Sequence, residues 1–313
     1  WSHPRGTLGR CHKGSETNIQ YSKKERRFLM DRITLRACGK LNLSLDIVGV
    51  REDGYHLMDM VMQSVSIFDR VTVEKAESLD PGLFPYGEQD IAYRAAQAFF
   101  AAAGIPGGAR VRVEKRIPSE AGMAGGSADG AAVLVALDRL YGTGMGEKLI
   151  PIGEKVGADV PFCLTGGTAR VEGIGERVTP LPFFDRGCYL VVKPPFGIST
   201  PAAFRAFDRS EAPRRPDTAG MIAAMARGDL PALETLSENV LEAAAARPEI
   251  GEIRRALREA GAAFSRMTGS GSAVFGLFET EGAAAAARGA VERYGETFLC
   301  KPVPAGIWVG TCR

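Results

Sequence analysis

Among its 313 residues the chain has no uninterrupted apolar run of the ~18–20 residues that a membrane span needs. The first 29 residues hold no apolar h-region, so they do not read as a secretory signal. Histidine is scarce: there are three, and only His56 lies beyond residue 29. The six cysteines (Cys11, Cys38, Cys163, Cys188, Cys300, Cys312) form no C-x-x-C pair. Together these absences argue against a zinc site and against a disulfide framework, and point to a reducing cytoplasm. No large excess of one charge is present either. Residues 1–29 carry seven Lys/Arg against two Glu, a balance of +5 in a chain whose net charge is +2, which leaves −3 for residues 30–313. A body of that sign argues against a nucleic-acid partner, which requires a basic face. Two common nucleotide signatures are missing as well. No Gly-Lys-Ser/Thr closes the one long Gly-rich loop, so it is not a Walker A loop, and it is not the G-x-G-x-x-G fingerprint with an acid ~20 residues later.

What is there is the run Ile117-Pro118-Ser119-Glu120-Ala121-Gly122-Met123-Ala124-Gly125-Gly126-Ser127-Ala128-Asp129-Gly130, which leads directly into the apolar helix expected over 131–140. Small side chains let backbone N–H groups approach an anion closely. A helix starting just beyond them adds its dipole and unpaired donors. The plainer reading is a Gly/Ala-rich turn that lets a strand and a helix pack tightly. Glu120 puts an acid at the mouth of this anion loop.

The rest of the chain reads as mixed strands and helices. Strands are expected over 33–50, 58–68, 71–75, 110–116, 166–171, 188–192, 264–267, 273–278 and 297–303. Helices are expected over 91–103, 148–156, 202–207, 219–226, 230–241, 250–260 and 281–294. Residues 76–89 read as loop. The order lacks a regular βαβ beat, which favours two α+β domains over a doubly wound sheet. The Pro- and Gly-containing stretch 180–187 is the candidate boundary, giving domains 30–183 and 184–313. Trp1-Ser2-His3-Pro4 resembles the start of an affinity tag and Met30 reads as the native start. Residues 1–29 are therefore set aside as a tag or disordered leader, a natural basic arm being the alternative.

Three motifs stand in fixed order: Gly39-Lys40-Leu41-Asn42-Leu43-Ser44-Leu45, then Pro118 to Asp129, then Met267-Thr268-Gly269-Ser270-Gly271-Ser272-Ala273-Val274-Phe275. This arrangement resembles the GHMP kinase superfamily. Two more segments, Arg51-Glu52-Asp53-Gly54-Tyr55-His56 and Gly157-Ala158-Asp159-Val160-Pro161-Phe162, narrow the resemblance. They are similar to the branch that phosphorylates the 2-hydroxyl of a cytidine-diphosphate-linked methylerythritol in the non-mevalonate route to isoprenoid precursors. The resemblance implies a ribosomal protein S5 domain 2-like N-terminal domain and a ferredoxin-like C-terminal domain, with the site in the cleft between them.

It also implies that Lys40 and Asp159 are the catalytic pair. The chemistry agrees: transfer to an alcohol needs a proton acceptor and a cation to steady negative charge. A lysine within such an apolar alternation is awkward as pure structure, although Lys40 as a solvated edge lysine and Asp159 as a helix cap are the plain alternatives. Asn42, two residues on and on the same strand face, is expected to bind substrate. By resemblance Tyr55 and His56 recognise cytosine, Thr200 contacts substrate, and Phe204 closes the other side of the base. ATP is the implied cosubstrate, with Mg²⁺ expected as the ATP complex. Pro118, Ala121, Gly122, Met123, Ala124, Gly125, Gly126, Ser127 and Ala128 are expected to hold it, with Ser127 the best hydroxyl and Lys115 a further nucleotide contact. No metal ligand is named, no membrane partner is expected, and the chain is expected to be a monomer or weak homodimer. The rival readings are another small-alcohol kinase of the superfamily, a catalytically weak binding protein of the same fold, and a translation-type nucleic-acid module.

Overall fold

Two long antiparallel strands, β1 (Arg32–Val50) and β2 (His56–Ala76), frame the computed structural model, which describes residues 31–210, 214–245 and 247–309. The expectations for residues 1–29 lie outside the described residues. The turn between the strands is closed by Arg51 N–H donating to Tyr55 O and Gly54 N–H to Arg51 O, both at 2.8 Å. The sequence pattern predicts two strands over 58–68 and 71–75, but β2 is one strand. Asp69, which reads as a break, stays in register opposite Ala37 and is fully buried because it finds internal partners.

Strand β3 (Gly108–Glu114) pairs with the far half of β2, and β4 (Thr168–Gly173) with its near half. Two short strands complete this six-stranded sheet: β5 (Arg177–Pro180) beside β4, and β10 (Ile307–Val309), which returns from the end of the chain to β1. Neither is expected from the sequence, since four and three residues are too few to show a period.

Helices α1 (Ile91–Ala103), α2 (Gly125–Tyr141), α3 (Leu149–Val156) and α4 (Val160–Thr165) belong to this half. Asp90 caps α1, its Oδ1 accepting from Ala92 N–H at 2.8 Å, and Gly104 ends it in the left-handed conformation. Gly130 lets α2 lie close to α1, because a Cβ there would come within 2.8 Å of Ile91. Leu41, Leu43, Val61 and Val65 from the hairpin form one core with Phe99, Val133, Leu134 and Leu137 from these helices.

The second sheet runs β7-β8-β6-β9, from β6 (Cys188–Lys193), β7 (Phe264–Met267), β8 (Val274–Phe278) and β9 (Glu296–Cys300), all antiparallel. Its helices are α5 (Thr200–Phe207), α6 (Thr218–Arg227), α7 (Leu230–Leu236), α8 (Val240–Ala244), α9 (Pro248–Glu259) and α10 (Glu281–Val291). The single helix predicted over 230–241 is two, α7 and α8. The break has a tertiary cause. Ser237 Oγ donates to Leu43 O at 2.5 Å, Leu45 N–H donates to Glu238 O at 2.8 Å, and Asn239 caps α8 through Leu241 N–H at 3.0 Å. Crossing β1 is worth more than continuing the helix. Leu45 and Ile47 accordingly join the second core, with Leu190, Val192, Ile253 and Leu257. The described residues from Arg32 onward form one compact unit. None of the described helices is long and apolar enough to cross a membrane.

Candidate active site

Strand β1 is irregular where its chemistry lies. Its register against β2 shifts between Cys38 and Lys40 and again between Asn42 and Ser44. Such bulges re-aim side chains. Lys40 is only 4% exposed, yet its ammonium does not enter an ion pair among the described residues. It donates instead to two neutral oxygens, Asn42 Oδ1 at 2.5 Å and Gly122 O at 2.7 Å. A buried cation satisfied only by neutral acceptors keeps its full charge for an incoming anion. Asn42 is drawn into this seat: its Oδ1 receives Lys40 and its Nδ2 points at Met60 Sδ at 3.2 Å. The structure therefore places Asn42 first as the residue that orients Lys40. Thr268 braces both, its Oγ1 accepting from Asn42 N–H at 3.0 Å and lying 3.2 Å from Gly122 O. Thr268 belongs to the third motif, but nothing in the sequence assigns it this task.

The loop between β3 and α2 is held in an uncommon backbone shape. Glu120 and Ala124, both non-glycine, sit in the left-handed region at φ 49° and 58°. Such residues persist only where their surroundings over-determine them. Here Glu120 O accepts from Ser272 N–H at 3.0 Å, and Lys40 N–H donates to Met123 O at 3.1 Å. The Glu120 side chain lies over Gly197, where a Cβ would meet its Oε2 at 2.0 Å. Its carboxylate thus turns toward the 193–198 segment, and Lys193 feels its charge. Gly122, at φ +71°, passes so close to the 268–272 turn that a Cβ would meet Thr268 O at 1.9 Å. Gly122→Ala is expected to push these two motifs apart and cut activity at least tenfold, while far-UV circular dichroism stays like the parent's.

Helix α2 then starts with no side-chain cap at Ala124. Its first-turn N–H groups lack intrahelical partners by geometry and are free for phosphate oxygens. Gly125 and Gly126 open the approach, while Ala121 and Met123 anchor the loop in the core beneath. Ala128 is fully buried and its N–H bonds Ala124 O at 2.9 Å, so its side chain packs in the core beneath α2. Ser127 lies beside Gly157, where a Cβ would come 3.9 Å from its Oγ, and it does not line the cavity described below.

Below the loop lies an ionic triad. Lys115 Nζ donates to Asp69 Oδ2 at 2.5 Å and to Asp129 Oδ2 at 2.7 Å. Asp69 also accepts from the N–H groups of Arg116 at 2.5 Å and Ile117 at 2.9 Å. Burial raises Asp129 to about 7; Lys115 opposes the shift and Asp69 adds to it. Burial pulls Lys115 down, but the two carboxylates outweigh it and leave Lys115 raised. Lys115 does line the cavity, yet its charge is already engaged. The structure makes it first the brace between β2, the loop and α2. Asp69 and Asp129 carry no sequence signal for this, because they lie 46 and 14 residues from Lys115.

A single cavity of about 1080 Å³ runs over all of this. Lys40 and Asn42 line it, as do Lys115 and the loop residues Pro118, Ala121, Gly122, Met123, Ala124, Gly125 and Gly126. Asp159 reaches it from the start of α4, where its side chain makes no capping hydrogen bond. Asp159 and Lys40 do not touch, but both charges act on the buried Cys163 thiol. Burial chiefly pushes that thiol up; Asp159 adds to the shift and Lys40 counters it. At the other end stand Tyr55, His56, Thr200 and Phe204. Thr200 Oγ1 and Ser270 Oγ share a hydrogen bond of 2.9 Å. His56 stacks on Phe204 at 4.7 Å between centroids. A base between two rings needs about 7 Å, twice a ~3.5 Å contact, so none fits between these two as they stand. Tyr55, 58% exposed, is the ring left free to form a wall.

The volume exceeds what one small ligand needs and joins an anion cradle, an unpaired ammonium, a carboxylate and an aromatic end. Known proteins match the chain that carries this arrangement. Residues 90–167 match the GHMP kinases N terminal domain and residues 221–297 match the GHMP kinases C terminal family. The 4-diphosphocytidyl-2-C-methyl-D-erythritol kinase of Carboxydothermus hydrogenoformans is 41% identical over 86% of this chain and 96% of its own. The chain belongs to the 4-diphosphocytidyl-2-C-methyl-D-erythritol kinase family. A crystal structure of a 4-(cytidine 5'-diphospho)-2C-methyl-D-erythritol kinase superposes with TM-score 0.74 at 37% identity, covering 86% of this chain and 99% of that one. The homoserine kinase of Cytophaga hutchinsonii, 18% identical, shares the fold with TM-score 0.74 over 93% of this chain and 100% of its own. As a member of the 4-diphosphocytidyl-2-C-methyl-D-erythritol kinase family the chain has the two-part GHMP kinase fold and is an ATP-dependent kinase acting on a small molecule.

Proposed function

We propose that this chain transfers the ATP γ-phosphoryl group to the 2-hydroxyl of 4-diphosphocytidyl-2-C-methyl-D-erythritol, with Asp159 and Lys40 as its catalytic residues. The observation that carries the site assignment is that one cavity holds the phosphate loop, Lys40, Asp159 and the Tyr55/His56/Phe204 end together. The phosphate loop and the open first turn of α2 bind the ATP phosphates. Asp159, with a side chain free of capping bonds, takes the proton from the attacking hydroxyl. Lys40, held by Asn42 and Gly122, stabilises the negative charge on the attacking oxygen and on the transferring group. The aromatic end recognises the cytidine diphosphate moiety. The proposed division into residues 30–183 and 184–313 assigns the loop and the catalytic pair to the first part and Thr200 and Phe204 to the second.

Among the described residues no three His, Cys, Asp or Glu side chains converge as a metal cage. Mg²⁺ would arrive on the nucleotide, held mostly by phosphate oxygens and water. The ion would neutralise phosphate charge there. We place the enzyme in the cytoplasm as a monomer or weak homodimer, with no nucleic acid or membrane as partner.

ATP consumption with the cytidine diphosphate methylerythritol substrate tests the reading. Turnover with mevalonate or homoserine but not with this substrate would overturn it. Tyr55→Ala is expected to raise KM for that substrate about 5- to 150-fold with kcat little changed, as a stacking contact worth ~1–3 kcal/mol would. An unchanged KM would remove Tyr55 from the base end.

A further inference from the structure

Three contacts hold the His56 ring. One ring face stacks on Phe204 at an interplanar angle of 24°, and Phe207 meets it edge-on at 6.3 Å. Its Nε2 lies 2.7 Å from Asp208 Oδ1. Asp208, at the end of α5, is about half-exposed. An ionised carboxylate only accepts hydrogen bonds, so this contact requires the proton on Nε2. Neutral imidazole carries one N–H, so Nδ1 is then a bare acceptor. Among the described residues Nδ1 has no hydrogen-bond partner, and His56 faces the cavity.

A bare acceptor can tell the two pyrimidines apart. At the position where cytosine carries an exocyclic amine, a donor, uracil carries a carbonyl oxygen, an acceptor. Nδ1 pairs with the amine, whereas it confronts the carbonyl with lone pair against lone pair. Leaving a buried polar group unmatched is what gives such sites their discrimination.

We propose that Asp208 is a positioning residue that fixes the His56 tautomer and thereby makes the base end select cytosine over uracil. This rests on the reading of Tyr55, His56 and Phe204 as the nucleobase end. Asp208 itself touches neither base nor phosphate. It acts through His56, and its place just after a short helix gives the sequence no mark of the role.

Two measurements test the proposal. His56 is the only histidine beyond residue 29, so ¹⁵N-histidine NMR reads its tautomer with only His3 and His12 beside it. The parent is expected to show a protonated Nε2 and an unprotonated Nδ1, Asp208→Ala a mixture, and Asp208→Asn, whose amide oxygen still accepts from Nε2–H, the parental pattern. Calorimetry with CDP and UDP, which needs no turnover, is expected to give the parent a CDP preference on the order of 10- to 100-fold. That preference should fall toward unity in Asp208→Ala and survive largely in Asp208→Asn. A parent with its proton on Nδ1, a parent that binds CDP and UDP equally, or an Asp208→Ala variant with the parental ratio overturns the proposal. A parent that prefers CDP through Asp208 yet phosphorylates no cytidine-linked alcohol sinks only the proposed reaction.

Discussion

Asp159→Asn is expected to lower kcat by about 10²–10⁴-fold, the range that a positioned general base contributes. The fold should survive, because the Asp159 side chain makes no capping bond to α4 and is only partly buried. KM for ATP should change little, since the phosphate loop is untouched. Lys40→Met is expected to cost about 10²–10³-fold in kcat, as does loss of one preorganised electrostatic group. Its effect on the ground state differs: Gly122 O and Asn42 Oδ1 lose their shared donor, so the loop loosens and KM for ATP rises as well. On the proposed pairing the double variant should be little worse than the poorer single one, as for groups that act as a unit. Near-parental kcat in Asp159→Asn under steady-state assay would remove Asp159 as the base.

Lys115→Met is expected to be the most damaging change outside the reacting atoms. It leaves Asp69, with no exposed surface, and Asp129 facing each other without their shared cation. Removing one partner of a buried ionic group costs about 3–5 kcal/mol, a large share of the total stability of an ordinary domain. The pH dependence gives the diagnostic. Asp129 is raised to about 7 in the folded protein, mainly by burial, against roughly 4 when unfolded. A raised carboxylate contributes stability that is fully present below about pH 4 and is lost as pH rises through about 7. In the parent, stability attributable to this group thus falls across that window. Lys115→Met removes the cation that holds Asp129 down, so the decline should steepen and run beyond pH 7. Asp129→Asn removes the titration and should flatten the curve, with a gain over the parent at pH 8 relative to pH 5. Urea midpoints at pH 5 and pH 8 measure all three; a Lys115→Met midpoint equal to the parent's at pH 8 would dismiss the brace.

The triad also shows why part of the site was hidden. Lys115 is visible in the sequence as a cation just before a Gly-rich loop, and that position suggests a nucleotide contact. Only the pairing of β2 with β3 brings Asp69 beneath it. Ala128 shows a different limit: it stands inside the motif, but the helical turn points its side chain into the core, which the motif alone does not reveal. Asn42 shares the strand face of Lys40, as alternation implies, yet its amide is spent on holding that lysine.

The sequence by itself determined the identity of the family, the order of the three motifs, the span of α1 and most strands of both sheets. The family follows from the resemblance that its motifs carry; the elements follow from short-range period and local turn chemistry, which neighbouring residues carry between them. Tertiary structure alone decided the rest. It turned two expected strands into the single β2, broke the helix over 230–241 at Ser237–Asn239, and added the short β5 and β10. It brought Thr268 against Asn42 and Gly122, Lys115 against two aspartates, and Asp208 against His56. Each of these contacts joins residues with no common period, and each is selected because a buried or constrained polar group must find a partner somewhere in the folded chain.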